Sequence, residues 1–545
     1  NIEIAVYGGG DLNFIRPLAD VPEKELRFYK LALKLCALGI LEDEIPQMLL
    51  RAIVWNSGDT HYSAESAAHL DGNMSFEACK QAFPKYIMTP NAIISRIMRE
   101  ISNVKSLLGD DHEIVSIMET EMGVGQRWLT PADSQKSKLI SMEKETETSV
   151  FLGSLPNGQP IYETSNQSLI TIAPPGSGKT QCHVLPNIPS YGGSVIVLDV
   201  KGECYTETAE SRAELGSVFR FGPTYKDSHS FNPLGHLDVD SDDFFDDCKA
   251  LSALMIVPEG KDPTWELRAR DLLSVFLAHT VIMNDAPTLE PVLDLASGVG
   301  LEPTLKALSE KDAEHAAIIP RSLRREAAGL LDTLKRSEKQ FEGYIGSLKQ
   351  HLSVWDTSAI ERITEKSDWT PKIFRQEKAT LYLCVAAEDI ERFAPVMRVI
   401  IGQHVRELLK TADDECWPPV LFMLDELPRL GQMAPVRTAL ETGRGKGIKL
   451  WMICQYQAQL MEAYGKDIAK GMMGSCSVEL YMNASAEDAE FISKRLGNQV
   501  DVQTAKDRPL ATPQDLVGPK FENSVVAFVK GTEPVLLEKK FFYES

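Results

Sequence analysis

The sequence predicts an α/β protein built on a parallel sheet, and three observations support this prediction. The apolar run Leu169–Ile172 leads directly into a glycine-rich turn. Residues 419–424 are apolar throughout, which is typical of a central strand covered on both faces, and two carboxylates follow them. The runs 194–198 and Ile448–Cys454 also end in polar residues. Because parallel sheets bind ligands beyond the carboxyl ends of their strands, these polar residues predict one shared site.

The turn after the first run has the layout of a phosphate-binding loop. Residues 173–180 read Ala-Pro-Pro-Gly-Ser-Gly-Lys-Thr, with Ala173 where the strict pattern begins with glycine. The backbone N–H groups of such a loop bind phosphate oxygens, Lys179 is expected to reach the β- and γ-phosphates, and Thr180 is expected to bind Mg²⁺. The alternative is an ordinary Gly-Ser turn with a surface lysine. The predicted nucleotide-binding residues are Pro175, Gly176, Ser177, Gly178, Lys179, Thr180 and Gln181.

The carboxylates after the second run are expected to complete this site. Asp425 is predicted to hold hydrated Mg²⁺, and Glu426 to take a proton from the attacking water. Gln455 follows another strand and is expected to hydrogen-bond the γ-phosphate or its water. Arg444 lies between glycines and suits a finger that neutralises transition-state charge in a neighbouring subunit, the alternative being a solvated loop arginine. The catalytic candidates are Glu426, Lys179, Arg444 and Gln455, with Thr180 and Asp425 as metal ligands.

A wider ordered set of motifs resembles the coupling-protein ATPases of conjugation and type IV secretion, the TraG/TraD class. The resemblance runs from about Arg127 to near the C-terminus, and it implies that the lysine, carboxylates, arginine and glutamine singled out above are the ATPase residues. One departure is that many relatives carry a basic residue where Pro175 or Gly176 stands here. The motifs are Asp-Val-Lys-Gly-Glu (199–203), Ser-Phe-Asn-Pro-Leu (230–234), Asp-Pro-Thr-Trp (262–265), Leu-Asp-Glu (424–426), Gly-Arg-Gly (443–445) and Gln455.

The resemblance implies a RecA-like P-loop ATPase domain with a parallel sheet and an inserted all-α subdomain, and helical spacing adds an N-terminal helical extension. It implies ATP and Mg²⁺ as cofactors and a homo-hexameric ring at the cytoplasmic face of the bacterial inner membrane. The partners would be type IV secretion channel components and protein effectors or a relaxase–DNA nucleoprotein, with DNA as a candidate occupant of the pore. A double-stranded DNA translocase of the FtsK or HerA kind and a non-enzymatic, nucleotide-binding adaptor remain as alternatives.

Four regions follow from the pattern of apolar residues and from the resemblance. Helical spacing dominates the first region, which carries no catalytic set and suits a partner-binding or assembly module. The third region lacks convincing strands, and relatives use their corresponding helical insertion to select substrates. The predicted regions are 1–125 (N-terminal helical region), 126–239 (first half of the nucleotide-binding domain), 240–372 (all-α insertion) and 373–545 (second half).

Composition limits the classes of function. The chain has 545 residues and a formal net charge of −21, from 57 Lys and Arg against 78 Asp and Glu. This acidity argues against tight DNA binding on the outer surface, although it does not exclude a local basic pore. The aspartates between Asp238 and Asp247 lack the spacing of a calcium loop and predict a solvated acidic face. The nine cysteines form no CxxC pair, which predicts reduced, buried thiols in a cytoplasmic compartment.

No segment of the sequence predicts a membrane span. The longest strongly apolar run without charge covers residues 272–284, which is too short for a bilayer. Members of the resembled family usually carry an N-terminal membrane anchor, whereas this chain begins with Asn1. We therefore expect membrane attachment through a segment missing from this sequence or through a partner.

Overall fold

The computed structural model describes residues 127–258, 262–310, 318–410, 418–500 and 507–544. The predicted helical region 1–125 therefore lies outside the described residues. The chain divides into a large unit, Pro131–Ala489 with Gln514–Ser545, and a small unit to which Glu490–Pro513 belongs. Among the described residues, no helix is both long enough and apolar enough to cross a membrane.

The strands of the described residues are short, and nearly all of them belong to one sheet. In chain order they are β1 (Ile140–Ser141), β2 (Val150–Ser154), β3 (Pro160–Glu163), β4 (Leu169–Ile172), β5 (Val195–Val200), β6 (Val218–Phe221), β7 (Thr380–Val385), β8 (Val420–Leu424), β9 (Ile448–Cys454), β10 (Val478–Met482), β11 (Asn498–Val500), β12 (Asp507–Pro509), β13 (Ser524–Val529) and β14 (Val535–Glu538).

The α-helices separate most of these strands. They are α1 (Pro131–Ser134), α2 (Asn187–Ser190), α3 (Glu203–Ala213), α4 (Phe244–Met255), α5 (Thr264–Met283), α6 (Glu290–Ala296), α7 (Leu301–Ser309), α8 (Arg321–Arg336), α9 (Glu338–Leu352), α10 (Ser358–Thr364), α11 (Ile390–Lys410), α12 (Ala434–Thr442), α13 (Gln457–Tyr464), α14 (Lys466–Ser475), α15 (Ala486–Leu496) and α16 (Pro513–Val517). Shorter turns are the π-helical Thr180–Val184 and the 3₁₀ segments Pro371–Arg375, Leu427–Leu430, Gly443–Lys446, Pro519–Phe521 and Phe542–Glu544.

The sheet of the large unit has twelve strands in the order β1-β3-β2-β14-β13-β10-β4-β9-β8-β5-β7-β6. From β10 to β6 every neighbouring pair is parallel. Strands β4 and β7 to β10 are buried along their whole length. Helices can cover both faces of such strands, which explains why their sequences are apolar without alternation. The predicted α/β fold with a parallel sheet is thus confirmed.

Antiparallel strands extend this sheet beyond β10, and sequence patterns did not predict most of them. Strand β3 alternates between half-buried and buried residues, so it lacks the continuous apolar run of a core strand. It ends in Glu163, whose side chain is fully buried and pairs with the buried Lys449 of β9. Lys449 also donates a hydrogen bond to the backbone oxygen of Ser165 at 2.9 Å. This ion pair links the antiparallel strands to the parallel core.

The chain between β6 and β7 is helical, and its described residues contain no strand. Its longest helix, α5, buries Leu272, Phe276 and Leu277 among other residues. The segment 321–352 forms two helices and not one continuous helix. The helix breaks at Ser337, where φ is −149° and ψ is 74°, and α9 begins at the next residue.

The small unit contains the antiparallel pair β11 and β12, in which Asn498 lies opposite Pro509. Two further hydrogen bonds hold its described residues together. The backbone N–H of Leu510 donates to Gly497, and the Ser493 hydroxyl donates to the Ala511 backbone oxygen at 2.7 Å.

Candidate nucleotide-binding site

The predicted phosphate loop leaves the carboxyl end of β4 and enters the π-helical turn Thr180–Val184. Gly176 and Gly178 have φ values of 78° and 86°, which strain residues with a Cβ, so glycine is required at both positions. Two buried polar atoms, Oγ of Ser177 and Oε1 of Gln181, have no hydrogen-bond partner among the described residues. Unpaired buried polar atoms are costly, so their presence in this loop fits a site for a polar ligand.

Lys179 lies between the two carboxylates that the sequence placed at this site. Its Nζ is 2.9 Å from Oδ1 of Asp425 and 3.3 Å from Oε1 of Glu426. These residues meet because β4 and β8 flank β9 and their carboxyl ends lie at one edge of the sheet. Burial alone would lower the pKa of Lys179, but the two carboxylates raise it above its ordinary value. Burial raises the pKa of Asp425, and Lys179 opposes this effect. The lysine therefore stays charged at neutral pH.

Glu426 is held from several sides. Its backbone adopts a left-handed conformation with φ of 58°. Nε2 of Gln455, which follows β9, donates to its Oε1 at 2.9 Å, whereas the sequence predicted a contact with the γ-phosphate or its water. Burial would raise the pKa of Glu426, but Lys179, Gln455 and Arg429 together lower it below its ordinary value. The carboxylate is therefore ionised at neutral pH and can accept a proton.

Arg429 is a site residue that the sequence analysis missed. Its Nη1 lies 3.3 Å from Oε2 of Glu426, and its Nη2 lies 3.2 Å from Oε1 of Glu391 at the start of α11. The available signal was a basic residue three positions after the Asp-Glu pair, on the short turn Leu427–Leu430. An isolated arginine in a Pro-Arg-Leu segment carries no recognisable chemistry, so only the fold reveals its contact.

The structure does not bring Arg444 to this cluster. It is exposed on the turn Gly443–Lys446, and it forms no ion pair with any residue that the structure describes. Thr180 directly follows Lys179 and is half-buried at the start of the π-helical turn. The described residues contain no group of three or more His, Cys, Asp or Glu side chains that could hold a metal. A divalent ion here would therefore depend on phosphate oxygens besides Thr180 and Asp425.

The segment 199–203 contacts the residue that follows the phosphate loop, and it comes from the end of β5, which β8 and β9 separate from β4. Both carboxylate oxygens of Asp199 accept hydrogen bonds from the first N–H groups of α3, those of Cys204 and Tyr205. Glu203 accepts a hydrogen bond of 2.6 Å from Nε2 of Gln181. Lys201 has an unfavourable φ of 116°. The segment thus fixes the start of α3 and one side chain that follows the phosphate loop.

A comparison with known protein families identifies the family of this chain. The type IV secretory system conjugative DNA transfer family matches residues 127–545, which is more than half of the chain. The chain belongs to this family. The match agrees with the resemblance inferred from the ordered motifs, and it includes the phosphate loop, the helical segment and both carboxylates.

Curated relatives within this family are similar over most of the chain. Protein VirD4 of Rhizobium radiobacter is 27% identical over 463 residues, covering 79% of this chain and 65% of the relative. Conjugal transfer protein TraG of Escherichia coli is 26% identical over 422 residues, covering 69% of this chain and 64% of the relative. The chain thus spans about two thirds of the length of these relatives.

A solved structure supports the fold. Plasmid coupling protein TrwB in complex with ADP and Mg²⁺ is 13% identical, with a TM-score of 0.54, and covers 76% of this chain and 94% of the TrwB chain. At this identity the similarity shows the fold alone, a RecA-like P-loop ATPase fold. The predicted fold class is therefore confirmed for the described residues.

Proposed function

We propose that this chain is an ATP-hydrolysing coupling protein that recruits protein or nucleoprotein substrates to a type IV secretion or conjugation channel and energises their transfer. One observation carries the proposal. Side chains at the ends of two parallel strands, β8 and β9, meet the lysine of the phosphate loop within 3.3 Å, and they are the ammonium, carboxylate and amide groups that triphosphate hydrolysis requires. Family membership and the TrwB complex with ADP and Mg²⁺ support the same conclusion.

Each side chain then has a distinct role. Lys179 exchanges its carboxylate partners for the β- and γ-phosphates, while the N–H groups of the loop bind the remaining oxygens. Glu426 accepts a proton from the attacking water, because its carboxylate is ionised and lies 3.3 Å from the ammonium of Lys179. Gln455 holds Glu426 and senses the γ-phosphate through its amide. Arg444 acts in a neighbouring subunit, since it lies outside the cluster of its own chain.

Thr180 and Asp425 suit a magnesium site. A hydroxyl directly after the loop lysine and a carboxylate at the end of a nearby parallel strand are the oxygen ligands that Mg²⁺ takes beside phosphates. When bound, Mg²⁺ would neutralise charge that develops on the phosphate oxygens. Asp425 would then hold the ion in place of its present contact with Lys179.

The remaining proposals concern the regions outside the nucleotide site. Residues 240–372 select cargo, residues 1–125 bind a partner or support assembly, and the subunits form a homo-hexameric ring. The ring works at the cytoplasmic face of the inner membrane, attached through a further segment or a partner. Its partners are channel components and effectors or a relaxase–DNA complex. These proposals rest on family membership and on the helical segment between β6 and β7.

The decisive experiment measures ATP turnover and ATP binding by the purified chain with Glu426→Gln. Without its proton acceptor, this variant should turn over ATP at least ~100-fold more slowly and still bind it, which is the scale of a general base. The matched control is Glu391→Gln, which removes an exposed carboxylate on the far side of Arg429. Unchanged turnover in Glu426→Gln would reject the assigned mechanism. Turnover that DNA stimulates and salt suppresses would favour the double-stranded DNA translocase instead.

A further inference from the structure

The last residues of the chain emerge beside the phosphate loop. Strand β10 is parallel to β4, β13 is antiparallel to β10, and β14 is antiparallel to β13. Strand β14 therefore runs in the direction of β4 and ends at the same edge of the sheet. The closing turn Phe542–Glu544 follows, and it contacts the π-helical turn Thr180–Val184 that continues the phosphate loop. The chain end thus lies beside the predicted nucleotide site.

Phe541 makes the closest approach to the loop. A Cβ at Gly178 would lie 2.8 Å from Cε1 of Phe541 and 3.5 Å from Sγ of Cys182, so the ring lies against the loop backbone one residue before Lys179. A side chain at Gly178 would displace this ring in addition to straining a φ of 86°. The glycine thus permits an aromatic ring to touch the loop.

Tyr543 stacks on this ring and remains open to solvent. The two ring centroids are 5.3 Å apart with an angle of 26° between the planes, while Tyr543 is 70% exposed. Aromatic faces are the surfaces on which nucleobases stack, with little dependence on base identity. The pair therefore offers an aromatic surface next to a phosphate-binding loop.

The strand order also gives the direction in which a nucleotide would lie. Strand β4 has β9 and β8 on one side, which bring Gln455, Asp425 and Glu426 to the lysine. It has β10, β13 and β14 on the other side, and the aromatic pair follows β14. A triphosphate whose γ end lies at the carboxylates would therefore direct its nucleoside toward the aromatic pair.

We propose that Phe541 and Tyr543 form the stacking surface for the base of the bound nucleoside triphosphate. This inference rests on the proposed function, because it requires a triphosphate in the loop. The surface acts through ring contact and not through a hydrogen-bond code, so it favours the larger purines over pyrimidines and distinguishes poorly among purines. The C-terminal residues thus add a binding subsite to the phosphate site.

The test uses the whole chain and compares two probes in the presence of Mg²⁺, ATP and inorganic tripolyphosphate, by calorimetric titration. Tyr543→Ala should weaken ATP binding roughly 10-fold, within the range for one base–aromatic stack, and leave tripolyphosphate binding unchanged. Tyr543→Phe keeps the ring and should retain the wild-type preference for ATP over tripolyphosphate. Because Tyr543 is largely exposed, neither change should disturb folding.

The outcomes separate this inference from the proposed function. If Tyr543→Ala binds ATP as tightly as the wild type while Lys179→Ala binds neither probe, the stacking surface is wrong and the phosphate site stands. If the wild type binds neither probe, both proposals are wrong. If Tyr543→Ala changes only the oligomeric state in size-exclusion chromatography, the aromatic pair serves subunit contact and the inference is overturned.

Discussion

At the scale of single residues, Glu426 combines backbone strain with an unusual number of donors. A left-handed backbone costs a residue with a Cβ of the order of 1 kcal/mol, and such strain is concentrated at functional sites. Lys179, Gln455 and Arg429 all contact its carboxylate. If Lys179 turns to the phosphates, Gln455 and Arg429 remain to orient the carboxylate. Arg429 is then a positioning residue, since it acts through Glu426.

The first prediction concerns Arg429→Ala. Losing one hydrogen bond to a charged group, worth ~1.5 kcal/mol, should lower kcat about 10-fold with little change in KM. The pKa of Glu426 should move up toward its ordinary value, because Arg429 is one of the groups that lower it. The acid limb of the pH–rate profile should therefore move to higher pH. Steady-state kinetics across pH measure both effects.

Two control variants complete this measurement. Arg429→Lys keeps the charge and should recover part of the rate. Glu391→Gln breaks the other contact of Arg429, at a glutamate whose side chain is 77% exposed, and should change kcat little because exposed pairs contribute little. Equal losses in Arg429→Ala and Glu391→Gln would contradict the positioning role.

At the scale of elements, the pair between Lys449 and Glu163 connects β9 to β3. Both side chains are fully buried, and burial raises the pKa of Glu163 and lowers that of Lys449. Removing one member of a buried pair leaves the other charge uncompensated, which is strongly destabilising. The pair therefore connects two strands that are not neighbours in the sheet.

The second prediction concerns Lys449→Met. The variant should lower the free energy of unfolding by about 3–5 kcal/mol, because it leaves the buried Glu163 without its cation. Adding Glu163→Leu should recover part of this loss, so the double variant should lose less than the sum of the single losses. Urea-induced unfolding measures all three variants.

A surface pair provides the matched control. Lys378→Met removes an ion pair with Glu147, whose side chains are 39% and 74% exposed, and should cost less than ~1 kcal/mol. Additive losses in the cycle of Lys449 and Glu163 would show that the two side chains act independently.

At the scale of the whole molecule, the exposed Arg444 fits the proposal that another subunit completes the site. It is exposed and lies on the turn after α12, whereas its own chain supplies Lys179, Glu426 and Gln455 to one cluster. Both facts are explained by a ring in which each subunit contributes its Arg444 to the nucleotide site of the next subunit. The ring remains a proposal, and its consequence can be measured by mixing variants.

The third prediction concerns Arg444→Ala and its mixture with Glu426→Gln. Each variant alone should have turnover lowered by at least ~100-fold, since an arginine finger contributes roughly 10³-fold or more and a general base about 10²-fold. Mixed subunits should regain activity, because a site with an intact Glu426 can receive Arg444 from a neighbouring Glu426→Gln subunit. Turnover is measured as a function of the mixing ratio.

The control for this mixing experiment is Arg437→Ala. It removes a half-exposed arginine on α12 that pairs with Glu441 at 3.9 Å, and it should leave turnover near the wild-type level. Mixtures that assemble and show no regained activity would place Arg444 in its own subunit or outside the mechanism.

The sequence could predict the parallel core and the site at its edge because both leave local signals. The bounds of β4 and β9 follow directly from apolar runs. The antiparallel strands could not be predicted in this way, since β3 alternates and is only four residues long. Arg429 and Phe541 were not assigned to the site because their contacts depend on long-range folding. The predicted roles of the site residues and the four domain bounds stay predictions.

The contact of Lys179 with two carboxylates affects which ligands can bind to it. Its positive charge is already compensated before any ligand arrives. A simple anion such as sulfate would have to compete with both carboxylates for Lys179. It supplies no cation that could replace the lysine as their partner. A magnesium–nucleotide complex would supply a cation for Asp425, so the ammonium of Lys179 would be free for phosphate. We therefore expect this ion pair to favour metal-loaded nucleotide over bare anions.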